Sequence, residues 1–198
     1  MAGRVMKGGM RYHLGKMLYT LQGEGANAGR AAVLCRFDAA KRQAAQRSYG
    51  SAAELVRDML DLWPGERRAG PPVSVVCTGA DLLAQLDQVL MTELHQWGCH
   101  VAAELDGAQP APEGLDWITV KPRPGQQLTV RRGQELKIEF PVEGLDPRDF
   151  EELQFQYHFI QPVADERWKG NTASAIRYCL NNPLWRLSYQ VQMAAGFP

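Results

Sequence analysis

Short β-type runs alternate with helix-length amphipathic segments along this chain, and that alternation constrains the fold most. AAVLCRF (31–37), SVVCTG (74–79) and HVAAEL (100–105) read as strands. Between the first two, Ser51 opens a helix with Glu54 three residues on, a capping-box spacing. Leu55, Met59, Leu60 and Leu62 recur on its core face, and Trp63–Pro64 stops it. A second helix is expected over 81–97, with Leu83, Leu86, Val89, Leu90 and Leu94 at helical spacing and Gly98 at its end. WITVKP, LTVRR and ELKIEF follow as three short strands, and a short helix enters at Asp146. FQYHFIQP is a strand, 171–180 a helix and RLSYQVQ a final strand. Strands exchanged with helices pair in parallel, because each crossover returns the chain to the same end of the sheet. The expected fold is therefore α/β, an open or incomplete (β/α) barrel with its chemistry at the carboxyl ends of the strands. With 198 residues, one domain over 16–198 is expected, preceded by a mobile extension over 1–15.

Composition narrows the function. Lys plus Arg and Asp plus Glu both number 22. That neutrality argues against a duplex-binding or membrane-surface protein, which needs a basic excess. No apolar run approaches a membrane span. The N-terminal MAGRVMKGGMRYHLGKM lacks the apolar core of a secretory signal, so a cytoplasmic location is expected. Four cysteines, Cys35, Cys77, Cys99 and Cys179, are scattered and never form CxxC. They read as buried thiols and not as metal ligands drawn from one loop.

Three stretches are candidate sites. QGEGANAG (22–29) lets backbone approach a ligand closely, but no GK[ST] follows it and no helix opens behind it. By spacing alone an ordinary turn is the better reading. HQWGCH brings His95, Cys99 and His100 close in sequence, although the turn at Gly98 makes their side chains diverge. KRQAAQR (41–47) is a solvated helical face, with a phosphate or partner contact as the alternative.

YTLQGEGANAGRAAVLCRF (19–37) resembles the opening of 7-carboxy-7-deazaguanine synthase, a radical S-adenosylmethionine enzyme family of the queuosine pathway. Further matching words are TGADLLAQLD (78–87), DWITV (116–120), RRGQELK (131–137), NTASAIRYC (171–179) and WRLSYQ (185–190), so the likeness spans about 16–198. It implies a reduced, incomplete radical-SAM-type barrel, a homodimer, and conversion of 6-carboxytetrahydropterin with a [4Fe–4S] cluster, S-adenosylmethionine and Mg²⁺. It further implies substrate contacts by Gln22, Glu24, Arg36, Glu104, Gln192 and the carboxylate of Pro198. Gln192 stands where the family has a substrate-facing His. Thr78, Gly79 and Gln161 would be what remains of the S-adenosylmethionine site.

The chain departs from the family where the cofactor chemistry lies. After Arg36–Phe37 the family carries three cluster cysteines; here DAAKRQAAQRSYG has none, and the Thr that meets Mg²⁺ is gone. The family's GGEP reads Gly79–Ala80–Asp81–Leu82, ETNG reads Glu104–Leu105–Asp106–Gly107, SPK reads Lys121–Pro122–Arg123, and QPMDG reads Gln161–Pro162–Val163–Ala164–Asp165. Without clustered thiolates there is no low-potential electron donor. The expectation is a pseudoenzyme with no resident metal or cofactor, binding a pterin, a deazapurine or a protein partner. QGEG and Arg36 fit equally with holding the first strand in place. The alternative is an enzyme acting on 6-carboxytetrahydropterin or a related heterocycle, with Glu24 and Glu104 as acid and base if burial raises one of them.

Overall fold

The computed structural model describes residues 11–38, 47–64 and 71–196. The chain divides into two compact units. The first is built from residues up to 19, 33–101 and 112–114; the second comprises 20–32, 102–111 and 115–198.

In the first unit, β1 (Tyr12–Leu14) holds Tyr12 and Leu14 fully buried, so part of the segment expected as a mobile extension belongs to the fold. β2 (Lys16–Leu21) belongs to this unit through Tyr19, and β3 (Ala31–Arg36) from Val33 onward. β4 (Arg47–Tyr49) pairs antiparallel with β1. α1 (Ala52–Leu62) starts as its sequence predicts. Ser51 Oγ accepts the Glu54 N–H at 3.2 Å, and the Glu54 carboxylate reaches back to the Gly50 N–H at 2.9 Å. Leu55, Val56, Met59 and Leu60 are buried, and the helix ends at Trp63, held extended before Pro64. β5 (Ser74–Thr78) runs parallel to β3, with Cys35 opposite Cys77 and Arg36 opposite Thr78. The helix expected over 81–97 is two, α2 (Leu82–Gln85) and α3 (Gln88–Gln96). Asp87 breaks it: its carboxylate caps α3 through the Leu90 N–H at 2.9 Å and accepts the Tyr12 hydroxyl at 3.0 Å.

The second unit takes up β6 (His100–Leu105) from Ala102 onward, followed by β7 (Trp117–Val120), β8 (Arg132–Phe140), β9 (Gln154–Pro162) and β10 (Trp185–Leu187). Each pairs in parallel with the next. β10 is an edge strand among the described residues, so the sheet is open and the barrel incomplete. A 3₁₀ turn over Pro147–Phe150, entered at Asp146, links β8 to β9, and α4 (Trp168–Asn181) links β9 to β10. Leu136, Ile138, Ile160, Ala175 and Trp185 close an apolar core on one face of the sheet.

Two expected strands are corrected here. LTV of LTVRR is loop: the Thr129 and Val130 N–H groups both donate to the Gly107 carbonyl, at 2.8 and 3.0 Å, and leave nothing for a ladder. RLSYQVQ is a strand only through Leu187, after which the chain turns and forms α5 (Val191–Ala195).

Candidate functional site

Strand alternation gives the second unit a polar sheet face opposite its core. Glu104 of β6 is level with Thr119 of β7, Thr119 with Glu135 of β8, and Glu139 with Gln161 of β9. Lys137, two residues after Glu135, shares that face and is only 1% exposed. Its ammonium lies 2.8 Å from Glu24 Oε1, 3.3 Å from Glu104 Oε1 and 3.9 Å from Glu135 Oε2. Lys121 adds a second cation, 3.9 Å from Glu24 Oε1 and 3.6 Å from Glu139 Oε1.

Glu24 arrives on the glycine-rich loop, which is pinned along its length. Gly29 N–H donates to the Gln22 carbonyl at 2.8 Å and closes the loop. Ala26 N–H donates to Glu135 Oε1 at 2.8 Å, and Gly25 N–H to Ser188 Oγ at 3.0 Å. The Ser188 hydroxyl donates in turn to Gln161 Oε1 at 3.3 Å. Gly25 is required twice over: its φ is +72°, and a Cβ there would sit 2.4 Å from Glu135 Oε2. Gln190 Nε2 donates to the second Glu24 oxygen at 3.2 Å, and Val191 N–H to the Gly23 carbonyl at 2.8 Å.

These contacts set the charges. Burial alone would raise the Glu24 carboxyl, but the Lys137 and Lys121 ammoniums outweigh it and hold the pKa at about 2. Burial likewise works against the Lys137 ammonium, and the Glu104, Glu24 and Glu135 carboxylates reverse it, so its pKa is raised. Glu135 is raised by burial despite Lys137, the Ala26 N–H and Thr119. Glu24 therefore stays ionised at neutral pH and cannot act as the acid of an acid–base pair.

The structure brings Gln22, Glu24, Glu104, Gln161 and Gln192 together with this face or its loop. Gln192 Oε1 lies 1.7 Å from where a Cβ on Gly23 would stand. Gln22 Nε2, Gln190 Oε1 and Gln192 Oε1 are buried with no hydrogen-bond partner. These three orphaned amide atoms, on the glycine-rich loop, the turn after β10 and α5, are groups a polar ligand could pair, because buried polar groups are usually paired. Lys137, Glu135, Lys121, Ser188 and Gln190 were not singled out as site residues from the sequence. The signal was there in ELKIE, where charged residues occupy every second position of a strand otherwise built for a core.

Arg36, Thr78 and Gly79 belong to the first unit. The Arg36 guanidinium is ion-paired with Asp38 and its side chain is 59% exposed. Asp38 Oδ1 also accepts the Ala80 N–H at 3.1 Å. Phe37 N–H donates to the Thr78 carbonyl at 2.7 Å, and Asp81 N–H to the Phe37 carbonyl at 2.9 Å. Gly79, at φ +117°, packs on that backbone: a Cβ would lie 2.4 Å from the Phe37 carbonyl oxygen. The backbone groups at this strand end are engaged with one another, while Asp81 Oδ2 is buried without a hydrogen-bond partner. Pro198 lies outside the described residues, as does all of KRQAAQR except Arg47.

The [4Fe–4S] cluster that the family implies does not fit the described thiols. A [4Fe–4S] cluster takes thiolates. Cys35, Cys77 and Cys99 are buried. Burial, with the neighbouring thiols, pushes Cys35 far up and Cys77 to about 12, so both are neutral thiols. Cys179 is on α4, in the second unit. Residues 39–46, AAKRQAAQ, lie outside the described residues, and their sequence has no Cys, His, Asp or Glu. Among the described residues no group of three such side chains is placed to hold a metal, His95, Cys99 and His100 included.

Comparison with known proteins agrees on one family. No protein-family model matches the chain. It is 38% identical to 7-carboxy-7-deazaguanine synthase of Bradyrhizobium diazoefficiens, covering 94% of this chain and 99% of that protein. It is 37% identical to the protein of the same name from Nitratidesulfovibrio vulgaris, covering 96% and 100%. The first alignment spans 211 positions, more than the 198 residues of this chain, so that relative has segments absent here. Among solved structures, QueE from Escherichia coli superposes with a TM-score of 0.66 at 20% identity over 91% of this chain and 94% of that one, a likeness of fold. At such identity over nearly the whole of both chains, this protein belongs to the 7-carboxy-7-deazaguanine synthase family.

Proposed function

We propose that this chain is a non-radical member of its family, a pseudoenzyme that binds a pterin or deazapurine on the polar face of its second unit. The observation that carries this reading is the pairing of fixed carboxylates with orphaned amide atoms. Glu24 and Glu104 converge on Lys137, while Gln22 Nε2, Gln190 Oε1 and Gln192 Oε1 lack partners. An aminopyrimidinone edge offers N–H donors to carboxylates and amide oxygens, and a carbonyl to an amide N–H. Radical chemistry is left out because no cysteine follows Phe37 in the cluster loop and Cys35 and Cys77 are buried, neutral thiols. A cytoplasmic homodimer belongs to the same proposal and rests on the family resemblance.

Two measurements test it together. Anaerobic reconstitution with iron and sulfide should give no stoichiometric cluster and no 7-carboxy-7-deazaguanine. Calorimetry with 6-carboxypterin and with 7-deazaguanine should show saturable heat for at least one. A cluster that supports product formation would overturn the non-radical reading. Absence of heat with both heterocycles would overturn the binding reading and leave a protein partner as the ligand.

A further inference from the structure

We infer that Lys137 is a positioning residue for ligand recognition: its buried ammonium gathers the Glu24 and Glu104 carboxyl groups into a fixed pair of acceptors, which selects a ligand edge with two adjacent N–H donors. The inference rests on the heterocycle-binding reading above and adds the residue that makes such binding selective. Lys137 sits within β8, at 1% exposure, and its ammonium has three hydrogens to donate. Glu24 comes from the glycine-rich loop and Glu104 from the end of β6, segments far apart in sequence. One cation bonds both, at 2.8 and 3.3 Å.

The groups facing this point account for its charge. Glu24, Glu104, Glu135 and Glu139 are the carboxylates; Lys137 and Lys121 are the ammoniums; Thr119, Gln161, Ser188 and Gln190 are neutral. Without Lys137, three carboxylates would meet around one buried point, and burial together with mutual repulsion would favour protonating one. A protonated carboxyl presents an O–H to an incoming N–H, donor against donor. The pair gathered on Lys137 offers oxygens to both N–H groups of a 2-amino and ring N–H edge. Lys121 cannot take over this role: it stands 3.9 Å from Glu24 Oε1 and is shared with Glu139.

The test uses the full chain, and its readout is one that a merely structural lysine would not move. Calorimetric affinity for 6-carboxypterin is measured from about pH 5 to about pH 8. The wild type should be flat. Lys137→Met should bind roughly tenfold more weakly at the acid end and regain affinity as pH rises, because one carboxyl then titrates in that window. Lys137→Arg should restore the flat profile. Should Lys137→Met fail to fold, the double variant Glu135→Gln/Lys137→Met relieves the buried charge, and it should keep the pH dependence. A folded single or double variant with wild-type affinity and a flat profile would overturn the inference.

A ligand-free arm separates this inference from the binding reading. Carbon-13 NMR of the Glu24 carboxyl, assigned with Glu24→Gln, should show titration near 2 in the wild type. In the variant lacking the ammonium it should move above about pH 5. An unmoved titration overturns the role of Lys137 whether or not a pterin binds. Absence of pterin heat in the wild type, with the titration shifted as expected, overturns the binding reading and keeps the charge-setting role.

Discussion

The strand ends of the first unit and the polar face of the second meet the same difficulty, polar groups removed from water, in opposite ways. Around Arg36–Phe37–Asp38 the chain spends its own groups: Asp38 takes the Ala80 N–H and the Arg36 guanidinium, and Phe37 trades hydrogen bonds with Thr78 and Asp81. The cysteines beneath are neutral apolar filler. On the polar face of the second unit, a buried lysine sits among three carboxylates, and amide atoms of Gln22, Gln190 and Gln192 stay unpaired. A region whose ion pair stands half in water, with the Arg36 side chain 59% exposed, carries little desolvation cost. One that buries charge and leaves orphans carries a cost that a ligand can offset. The family likeness covers both regions, and the binding proposed above uses the second.

The largest expected effect breaks that contrast at its centre. Lys137→Met should lower unfolding free energy by about 3–5 kcal/mol, the cost of leaving buried carboxylates unpaired. Chemical denaturation checks it, and a loss no greater than that of an exposed lysine would show that the face is solvated.

Acid should act on the same region. The Glu24 carboxyl has a lower pKa in the folded chain than its ordinary 4.5, so the folded form binds fewer protons. Its contribution to stability is therefore complete above 4.5 and is lost as pH falls toward about 2. Comparing Glu24→Gln with wild type by denaturation across that window isolates the term. The gap between the two should narrow as pH drops.

In the first unit the sharpest probe is Cys77→Ser, which buries a hydroxyl where a neutral thiol fitted and should cost about 1–3 kcal/mol. Cys77→Ser and Cys35→Ser should leave pterin binding unchanged, because those thiols fill space in the first unit. Calorimetry on the folded variants checks that. The smallest effect is local: Ser51→Ala removes the cap of α1 and should cost about 1 kcal/mol by thermal melting, with no change in ligand heat.

Much of the fold was legible along the chain. Ser51, Glu54 and Pro64 bound α1 because caps and breakers act over three or four residues. The parallel order of β6 to β10 follows from apolar runs separated by long crossovers. The break at Asp87 was not legible, since it depends on Tyr12 arriving from far upstream. Nor was the end of the last strand, where Ser188 leaves the ladder to hold Gly25. Of the site, Glu24 and Glu104 could be named from family words, while Lys137 was hidden inside one of them.

The sequence by itself determined the α/β class, the family, and the absence of a cysteine triplet after Phe37, because each is a matter of local pattern or residue identity. Only the tertiary structure decided that Glu24 is held ionised and that Arg36 is engaged with Asp38. It also decided that Lys137 anchors the polar face. The reason is electrostatic: the charge a carboxyl carries depends on which cation stands within a few ångströms of it and on how little water remains. Those distances are set by strand register and loop closure across more than a hundred residues, and no local pattern records them.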